Sequence, residues 1–540
     1  MLKDWWKNSV VYQIYPRSFC DGNGDGVGDI KGIISKLWYL SKLGIDVIWL
    51  SPTYPSPNAD NGYDISDYYG VSEEYGTMDE MKELIKKCDE LGIKIVMDLV
   101  VNHSSDEHPW FIEAKKSKDN KYRDFYIWRK GDGENPPNDL KASFGGSAWE
   151  YSPETGEYYL HFFSKKQPDL NWENPNMRKE IWKMMNYWID LGIGGFRMDV
   201  IDTIGKVPDK KIRENGPMLH EYIKEMHRET LDGKNLLTVG ECWSANTDDG
   251  IKYSNPERHE LSMIFQFEQC MLDRIPGGER WDSRPLQLTE LKQVFSKWQN
   301  ELYGKGWNSL FWDNHDLPRI VSRWGNDGEY RVLSAKMLAT LLHGMQGTPY
   351  IYQGEEIGMT NVPFNRLEDF SDIESVNMRK EWKEKGKTDE EILASLKRNS
   401  RDNARTPMQW NSGYQAGFTT GTPWYKVNPN YVEINAEDAL NDENSIFYYY
   451  QKLIKLRKST PTIIHGKYEL LLPEDEDIYA YLRTYEGETI LVVCNFHNCN
   501  RTFSFEGKGE TLISNYPTEK IVDLKNTELK PYESAIYKII

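Results

Sequence analysis

The sequence predicts an α/β chain: a (β/α)8 TIM barrel with a small domain inserted after its third strand and an antiparallel β-sandwich at its C-terminal end. Three observations point there. Eight short β-branched or aromatic runs follow one another, several separated by amphipathic stretches of helical spacing, and strand alternating with helix eight times is the pattern of this barrel. The third and fourth runs stand far apart, and residues 104–170 between them are rich in Asp, Lys, Gly, Pro and aromatic side chains. Past about Thr460 the pattern changes to short alternating runs, YELLLP, IYAYLRTY, TILVVCNF and SAIYKII, which read as antiparallel strands.

The eight barrel runs are VVYQIY (10–15), IDVIWLS (45–51), IKIVMDLVVNH (93–103), GFRMDV (195–200), LLTVGECW (236–243), LSMIFQFE (261–268), WNSLFWDNHD (307–316) and TPYIYQGEE (348–356). Helical spacing covers Ile30 to Leu43, Met78 to Leu91, Met177 to Leu191 and Leu288 to Leu302. A charged insertion, about 361–424, follows the eighth run and precedes a helix-like segment from Ser445 to Arg457. The expected organisation is barrel in 1–103, inserted domain in 104–170, barrel again in 171–460 and β-sandwich in 461–540. A 540-residue chain exceeds what one core usually holds, which agrees with several domains.

A formal net charge of −18 argues against nucleic acid or an anionic membrane as main partner, since both demand a basic footprint. With 19 Trp and 33 Tyr, the chain has rings to stack on sugars as well as to fill a core. No apolar run reaches a membrane span, and MLKDWWKNSVVYQIYP lacks the order of a secretory signal. Six cysteines lie without CxxC spacing, as expected of free thiols. A monomeric cytoplasmic protein acting on a small neutral or cationic ligand is expected.

In such a barrel, chemistry sits where strands end, because charge in mid-strand is buried at a cost. Asp199, Glu241 and Asp316 are expected to end strands four, five and seven; His103 closes strand three and His315 precedes Asp316. Arg197 and Asp199 share a strand face, so the arginine should keep Asp199 ionised, as a nucleophile requires. Asp202, beyond the strand, is expected to cap a helix or face solvent. Glu241, in apolar LLTVGECW, should have a raised pKa and serve as a proton donor. Two carboxyls pushed in opposite directions suit glycoside hydrolysis, with retention of configuration if about 5–5.5 Å separates them.

The motifs DLVVNH (98–103), GFRMDV (195–200), GECW (240–243) and WDNHD (312–316) resemble the four signature regions of the α-amylase family of glycoside hydrolases. QPDLNW (167–172) resembles the region marking its oligo-1,6-glucosidase and dextran glucosidase branch, and the likeness runs along essentially the whole chain. The resemblance implies Asp199 as nucleophile, Glu241 as acid/base and Asp316 as stabiliser of the distorted sugar ring. It implies a pocket for one terminal glucose lined by Asp64, His103, Arg197, His315 and Arg401, with Tyr63, Phe144 and Phe163 packed around it. A pocket closed at one end implies exo action at non-reducing ends.

Val200, after the nucleophile, resembles the marker of α-1,6 specificity, where Thr or Ala accompanies α-1,4 preference. Trp243 and Arg280 are implied on the acceptor side. DGNGDGVGDI (21–30) begins like an EF-hand, but Gly32 stands where the bidentate Glu belongs. The branch implies one structural Ca2+ there, held by Asp21, Asn23, Asp25, the Val27 carbonyl and Asp29. Related enzymes prefer α-1,4 links, sucrose or trehalose 6-phosphate; MLDRI (271–275), in place of an RLDRD run, disfavours the isomaltulose synthase reading. All three carboxylates are present, which disfavours the non-catalytic transporter-associated relatives.

Overall fold

The computed structural model describes residues 4–133 and 135–540. The barrel strands are β1 (Val11–Ile14), β2 (Val47–Leu50), β3 (Lys94–Leu99), β4 (Gly195–Met198), β5 (Leu237–Cys242), β6 (Met263–Gln266), β7 (Ser309–Leu310) and β8 (Thr348–Tyr352). They form one sheet in the order β7-β8-β1-β2-β3-β4-β5-β6, so chain neighbours are sheet neighbours except β6 and β7, which end the order. The pairs β7–β8, β8–β1, β3–β4, β4–β5 and β5–β6 are parallel. This is the predicted TIM-barrel architecture, and each expected run contains one strand. Apart from partly exposed Lys94, these strands are buried along their lengths, which is why they read as apolar runs rather than as alternating patterns.

Every strand is shorter than its run, and at β7 and β3 this puts site residues beyond the strand. β7 is only Ser309–Leu310, so the WDNHD charges lie in the loop after it. β3 stops at Leu99, and His103 forms an isolated antiparallel bridge with Asp169 instead. Glu241 lies inside β5 rather than after it. At the start of β4, Gly195 has φ 151°, and a Cβ there would meet the Leu237 carbonyl oxygen at 1.8 Å, so only glycine admits this approach of β5.

The expected helix from Ile30 to Leu43 is two, Ile30–Ser35 and Leu37–Leu43, broken at Lys36. Met78–Glu90 opens with a Thr77–Glu80 capping box, and Pro175–Asp190 with an Asn174 cap and proline at its first position. Leu288–Leu302 and Ile446–Ser459 lie where predicted.

The chain divides into two compact units, 1–48 with 267–375 and 382–540, and 49–266 with 376–381. In the second, Trp128–Arg129, Glu157–Leu160 and Trp149–Ser152 make a three-stranded antiparallel sheet packed through Ile127, Trp149, Leu160 and Phe162. In the first, the 361–424 segment contributes the helix Asp389–Asn399. Its C-terminal part has a six-stranded antiparallel sheet and the two-stranded Arg501–Phe503/Thr527–Leu529 sheet. Phe503 and Leu529 of the small sheet share a core with Ile478, Leu491 and Tyr537 of the large one.

Candidate functional site

In the second unit, parallel register places Asp98 of β3 opposite Arg197 of β4, and Arg197 opposite Val239 of β5. The Arg197 guanidinium, 1% exposed, joins three carboxylates. Nη1 donates to Asp98 Oδ1 at 3.0 Å and Asp199 Oδ1 at 2.8 Å, while Nη2 lies 2.6 Å from Glu241 Oε2. Glu241 also accepts from the Val200 backbone N–H at 3.1 Å and from Trp243 Nε1 at 3.0 Å. Tyr63 and Trp49 both donate to Asp98 Oδ2, and the guanidinium lies over the rings of both.

One cation cannot hold three buried carboxylates ionised, and the balance differs from the sequence expectation for Asp199. Burial pushes Asp199 up to about 7; Arg197 opposes this, Asp98 adds to it, and a hydrogen bond with Glu241 favours the ionised form. Asp98 is likewise raised by burial to about 6. Sequence reasoning saw the Arg197–Asp199 pair, but not that two further acids share the arginine.

Val200 follows with φ 35° and ψ 45°, a left-handed conformation that a β-branched residue rarely adopts, costing on the order of 1–3 kcal/mol. That turn accompanies the Val200 N–H bond to Glu241, so the position has a backbone contact as well as an apolar side chain. Asp202, expected as a cap or at the surface, is buried and makes no cap. Its carboxylate accepts from Ser244 Oγ at 3.1 Å, and burial, reinforced by Glu214, raises it to about 7.

His103 is buried against the Tyr63 carbonyl, Gln167 and Asn102, and burial lowers its pKa to about 4, leaving it neutral. Its ring meets Phe163, which meets Phe144, in an aromatic chain. Asp64 is fully buried; its oxygens accept from Ser56 Oγ and from the Ala59 and Asp60 N–H groups, so this carboxylate shapes its own loop. Lys206, pairing with Asp169 at 2.9 Å and donating to Asn102, is a buried brace that sequence reasoning passed over.

The first unit holds a second ionic cluster. Asp316 Oδ1 accepts from Arg401 Nη1 and Arg405 Nη2, both at 3.0 Å, and Oδ2 lies 3.3 Å from His315 Nε2. The Gln13 amide donates to His315 Nδ1 at 2.9 Å, which leaves the ring proton on Nε2, facing Asp316. Asp372 accepts from Arg401 Nε at 2.7 Å and Arg405 Nη1 at 2.8 Å. Burial works against its charge, but the two guanidiniums hold it below the usual carboxylate range. Sequence reasoning named Asp316, His315 and Arg401; it missed Arg405, which stands four residues after Arg401 in the run RDNARTPMQW (401–410), and Gln13 and Asp372, whose partners are remote in sequence. Arg280 is paired with Glu374, whose other oxygen lies 3.7 Å from Arg401.

In the 21–29 loop, Asp21 accepts from the N–H groups of Asn23, Gly24 and Gly26, Asp25 from Val27 N–H and the Asn23 amide, and Asp29 from Gly22 and Gly32 N–H. Thr419 bonds Asp21 from the neighbouring segment. Among the described residues, no three His, Cys, Asp or Glu side chains already stand together as a metal site. Each carboxylate has about four acceptor sites, so all three keep oxygen capacity for a cation. No helix among them is long and apolar enough to cross a membrane.

Residues 13–466 match the family described as "Alpha amylase, catalytic domain", and residues 468–536 that described as "Maltogenic Amylase, C-terminal domain". The chain is 56% identical to the oligo-1,6-glucosidase of Parageobacillus thermoglucosidasius, with 100% of each chain covered. It is 54% identical to the glucan 1,6-alpha-glucosidase of Streptococcus pneumoniae, again with 100% of each covered. Among solved structures, trehalose-6-phosphate hydrolase from Bacillus licheniformis is similar with a TM-score of 0.94 and 50% identity, 99% of each chain being covered. A barrel with carboxyls gathered by one arginine from β3, from the end of β4 and from β5, together with these matches over nearly its whole length, shows that the chain belongs to the alpha-amylase family of glycoside hydrolases.

Proposed function

We propose that this enzyme is an exo-acting, retaining α-glucosidase that releases glucose from the non-reducing ends of α-1,6-linked oligosaccharides. The observation that carries it is the Asp199–Arg197–Glu241 arrangement. Inverting enzymes hold their carboxyls about 6.5–9.5 Å apart to admit a water, whereas retaining ones bring them to about 5–5.5 Å. Two carboxyls that share one guanidinium and a hydrogen bond suit the closer arrangement.

In this reading, Asp199 attacks the anomeric carbon while Glu241 gives its proton to the departing oxygen, forming a glucosyl ester on Asp199. Glu241 then takes a proton from water, which attacks the same carbon and frees Asp199. Arg197 orients both carboxyls, Trp243 and the Val200 N–H fix the Glu241 head, and His315, Arg401 and Arg405 orient Asp316, the third carboxylate, toward sugar hydroxyls. Tyr63, Asp64, His103, Phe144 and Phe163 frame the terminal glucose; Trp243 and Arg280 meet the acceptor. The α-1,6 preference rests on Val200 and on the names of the two relatives above.

The 21–29 loop is proposed to hold one Ca2+ through Asp21, Asn23, Asp25, the Val27 carbonyl and Asp29. Their support is chemical: hard oxygen donors, three of them carboxylates, within one short loop. The ion would supply a structural tie to the Thr419 segment and no catalytic step. A reducing, cytoplasmic setting is proposed from the six unpaired thiols, and the working form is taken as a monomer.

The test is substitution with an activated substrate. Asp199→Asn and Glu241→Gln should each lower turnover of isomaltose by several orders of magnitude while leaving the fold intact. Glu241→Gln should still form the glucosyl ester from a 2,4-dinitrophenyl α-glucoside, whose leaving group needs no proton. Near-normal isomaltose turnover by either variant overturns the assignment.

A further inference from the structure

In the second unit, the loop after β4 is fastened to the 104–170 segment at several points. Val207 and Ile212 exchange backbone bonds of 2.8 and 3.1 Å, closing residues 207–212 into a small hairpin. The Asn138 amide donates to the Pro208 carbonyl at 3.1 Å, Arg129 grips Asp209 with two bonds of 2.8 and 2.7 Å, and Lys211 lies 2.5 Å from Asp139. Both ion pairs are exposed, and exposed pairs hold a loop only weakly.

A further tie, from Arg213, faces inward. Its side chain is 24% exposed, and its guanidinium stands over the rings of Phe162 and Phe163, 4.9 and 5.7 Å from their centroids. Nη2 donates to Ser143 Oγ, and Nε lies 2.9 Å from Glu214 Oε1. These contacts reach the aromatic chain described above, in which Phe163 meets both His103 and Phe144. Phe144 stands on the turn 142–146, which ends in Gly145 and Gly146 at φ 94° and 80°, with open space where their Cβ atoms would be. Ser143 fixes the other side of that turn: its N–H donates to the Phe162 carbonyl at 2.7 Å and its hydroxyl accepts from Arg213. The Asn377 amide holds the Phe144 carbonyl at 2.9 Å. One guanidinium thus joins the Phe162–Phe163 segment to the Ser143–Phe144 turn.

We propose that Arg213 is a positioning residue for substrate binding: it sets the spacing of Phe144 and Phe163, and through them the affinity for the terminal glucose. The proposal rests on the reading above that these two rings frame that sugar. A guanidinium is suited to the task because its flat face covers an aromatic ring while its edge donates hydrogen bonds, which the point charge of a lysine does not do together. Glu214 beside it offsets the charge, so Arg213 supplies geometry to the wall rather than a field. Bound sugar and transition state meet the same wall, so loosening it weakens both alike, which raises KM and spares kcat.

The experiment is steady-state hydrolysis of 4-nitrophenyl α-glucoside by the full chain, with glucose as competitive inhibitor; this substrate depends on the terminal glucose and not on a choice of linkage. Arg213→Gln should raise KM and the glucose inhibition constant about tenfold, with kcat within about twofold of wild type. Arg213→Lys, which keeps a cation over the rings but loses the fork, should fall between. Arg129→Gln cuts an outer tie of the same loop and should leave both constants at their wild-type values. Phe163→Ala should raise them at least as far as Arg213→Gln. A silent Phe163→Ala overturns the reading of that ring and the proposal with it. Weaker binding in Phe163→Ala but not in Arg213→Gln overturns the proposal alone. So does an equal effect of Arg129→Gln, or a loss confined to kcat. If Arg213→Gln fails to fold, Arg213→Lys compared with Arg129→Gln decides the matter.

Discussion

Replacing Asp202 by Asn removes a charge that the fold buries without a cation to match it. The side chain is 1% exposed and its hydrogen bonds come from Ser244. Burial raises its pKa from the ordinary 3.8 to about 7, and at about 1.36 kcal/mol per pKa unit this amounts to about 4 kcal/mol. The sign follows from the folded state binding the proton more tightly than the unfolded chain. Stability from the protonated form is complete below the unfolded pKa, is lost as pH rises through about 7, and stays lost above it. Asn cannot ionise and has nearly the same shape. Relative to their difference at acid pH, Asp202→Asn should gain about 2 kcal/mol over wild type at pH 5 and about 4 kcal/mol at pH 8. The assay is urea unfolding of both proteins from pH 4.5 to 8.5. Midpoints that diverge as pH rises are expected, and parallel curves would refute the reasoning.

Four further outcomes are expected. Since Asp199 must be ionised to attack, kcat/KM for isomaltose should fall as pH drops through about 7, with an apparent value belonging to the whole Asp98–Asp199–Glu241 cluster; an acid limb centred near 4 would contradict this. Val200→Thr keeps the β-branched shape, so it should reduce the ratio of isomaltose to maltose activity by about tenfold, within the 1–3 kcal/mol of one pocket contact, and an unchanged ratio would assign the side chain to packing. Asp372→Asn removes one of the two carboxylates that Arg401 and Arg405 share, leaving Asp316, and should destabilise by up to about 3–5 kcal/mol, lowering kcat along with the melting temperature. Chelation of calcium should lower the melting temperature without abolishing the initial rate, and Asp21→Asn should make chelation silent.

The barrel was legible because its strands are buried on both faces and leave apolar runs in sequence order. The break at Lys36 was not, because Leu37 to Leu43 continues the apolar spacing across it. Within the site, Arg197 and Asp199 were visible as a pair from strand periodicity. Asp98 was not, because its role depends on which residue of β3 faces Arg197 across the sheet. Arg405 and Asp372 lie in a long insertion whose contacts follow no local period. Val200 shows the opposite case: its side chain was noticed, while its left-handed backbone runs against the preference of a β-branched residue. Asp202 was misplaced because hydropathy patterning sends a charged residue beyond a strand to the surface, and here the chain turns it inward.

The most direct measurement is proton NMR of the first minutes of isomaltotriose hydrolysis, beside an equal concentration of maltotriose. An exo-acting retaining α-1,6-glucosidase releases glucose from the non-reducing end as the α-anomer before mutarotation, and cleaves isomaltotriose the faster of the two. Initial β-glucose would contradict the roles given to Asp199 and Glu241, and faster cleavage of maltotriose would contradict the linkage assigned through Val200.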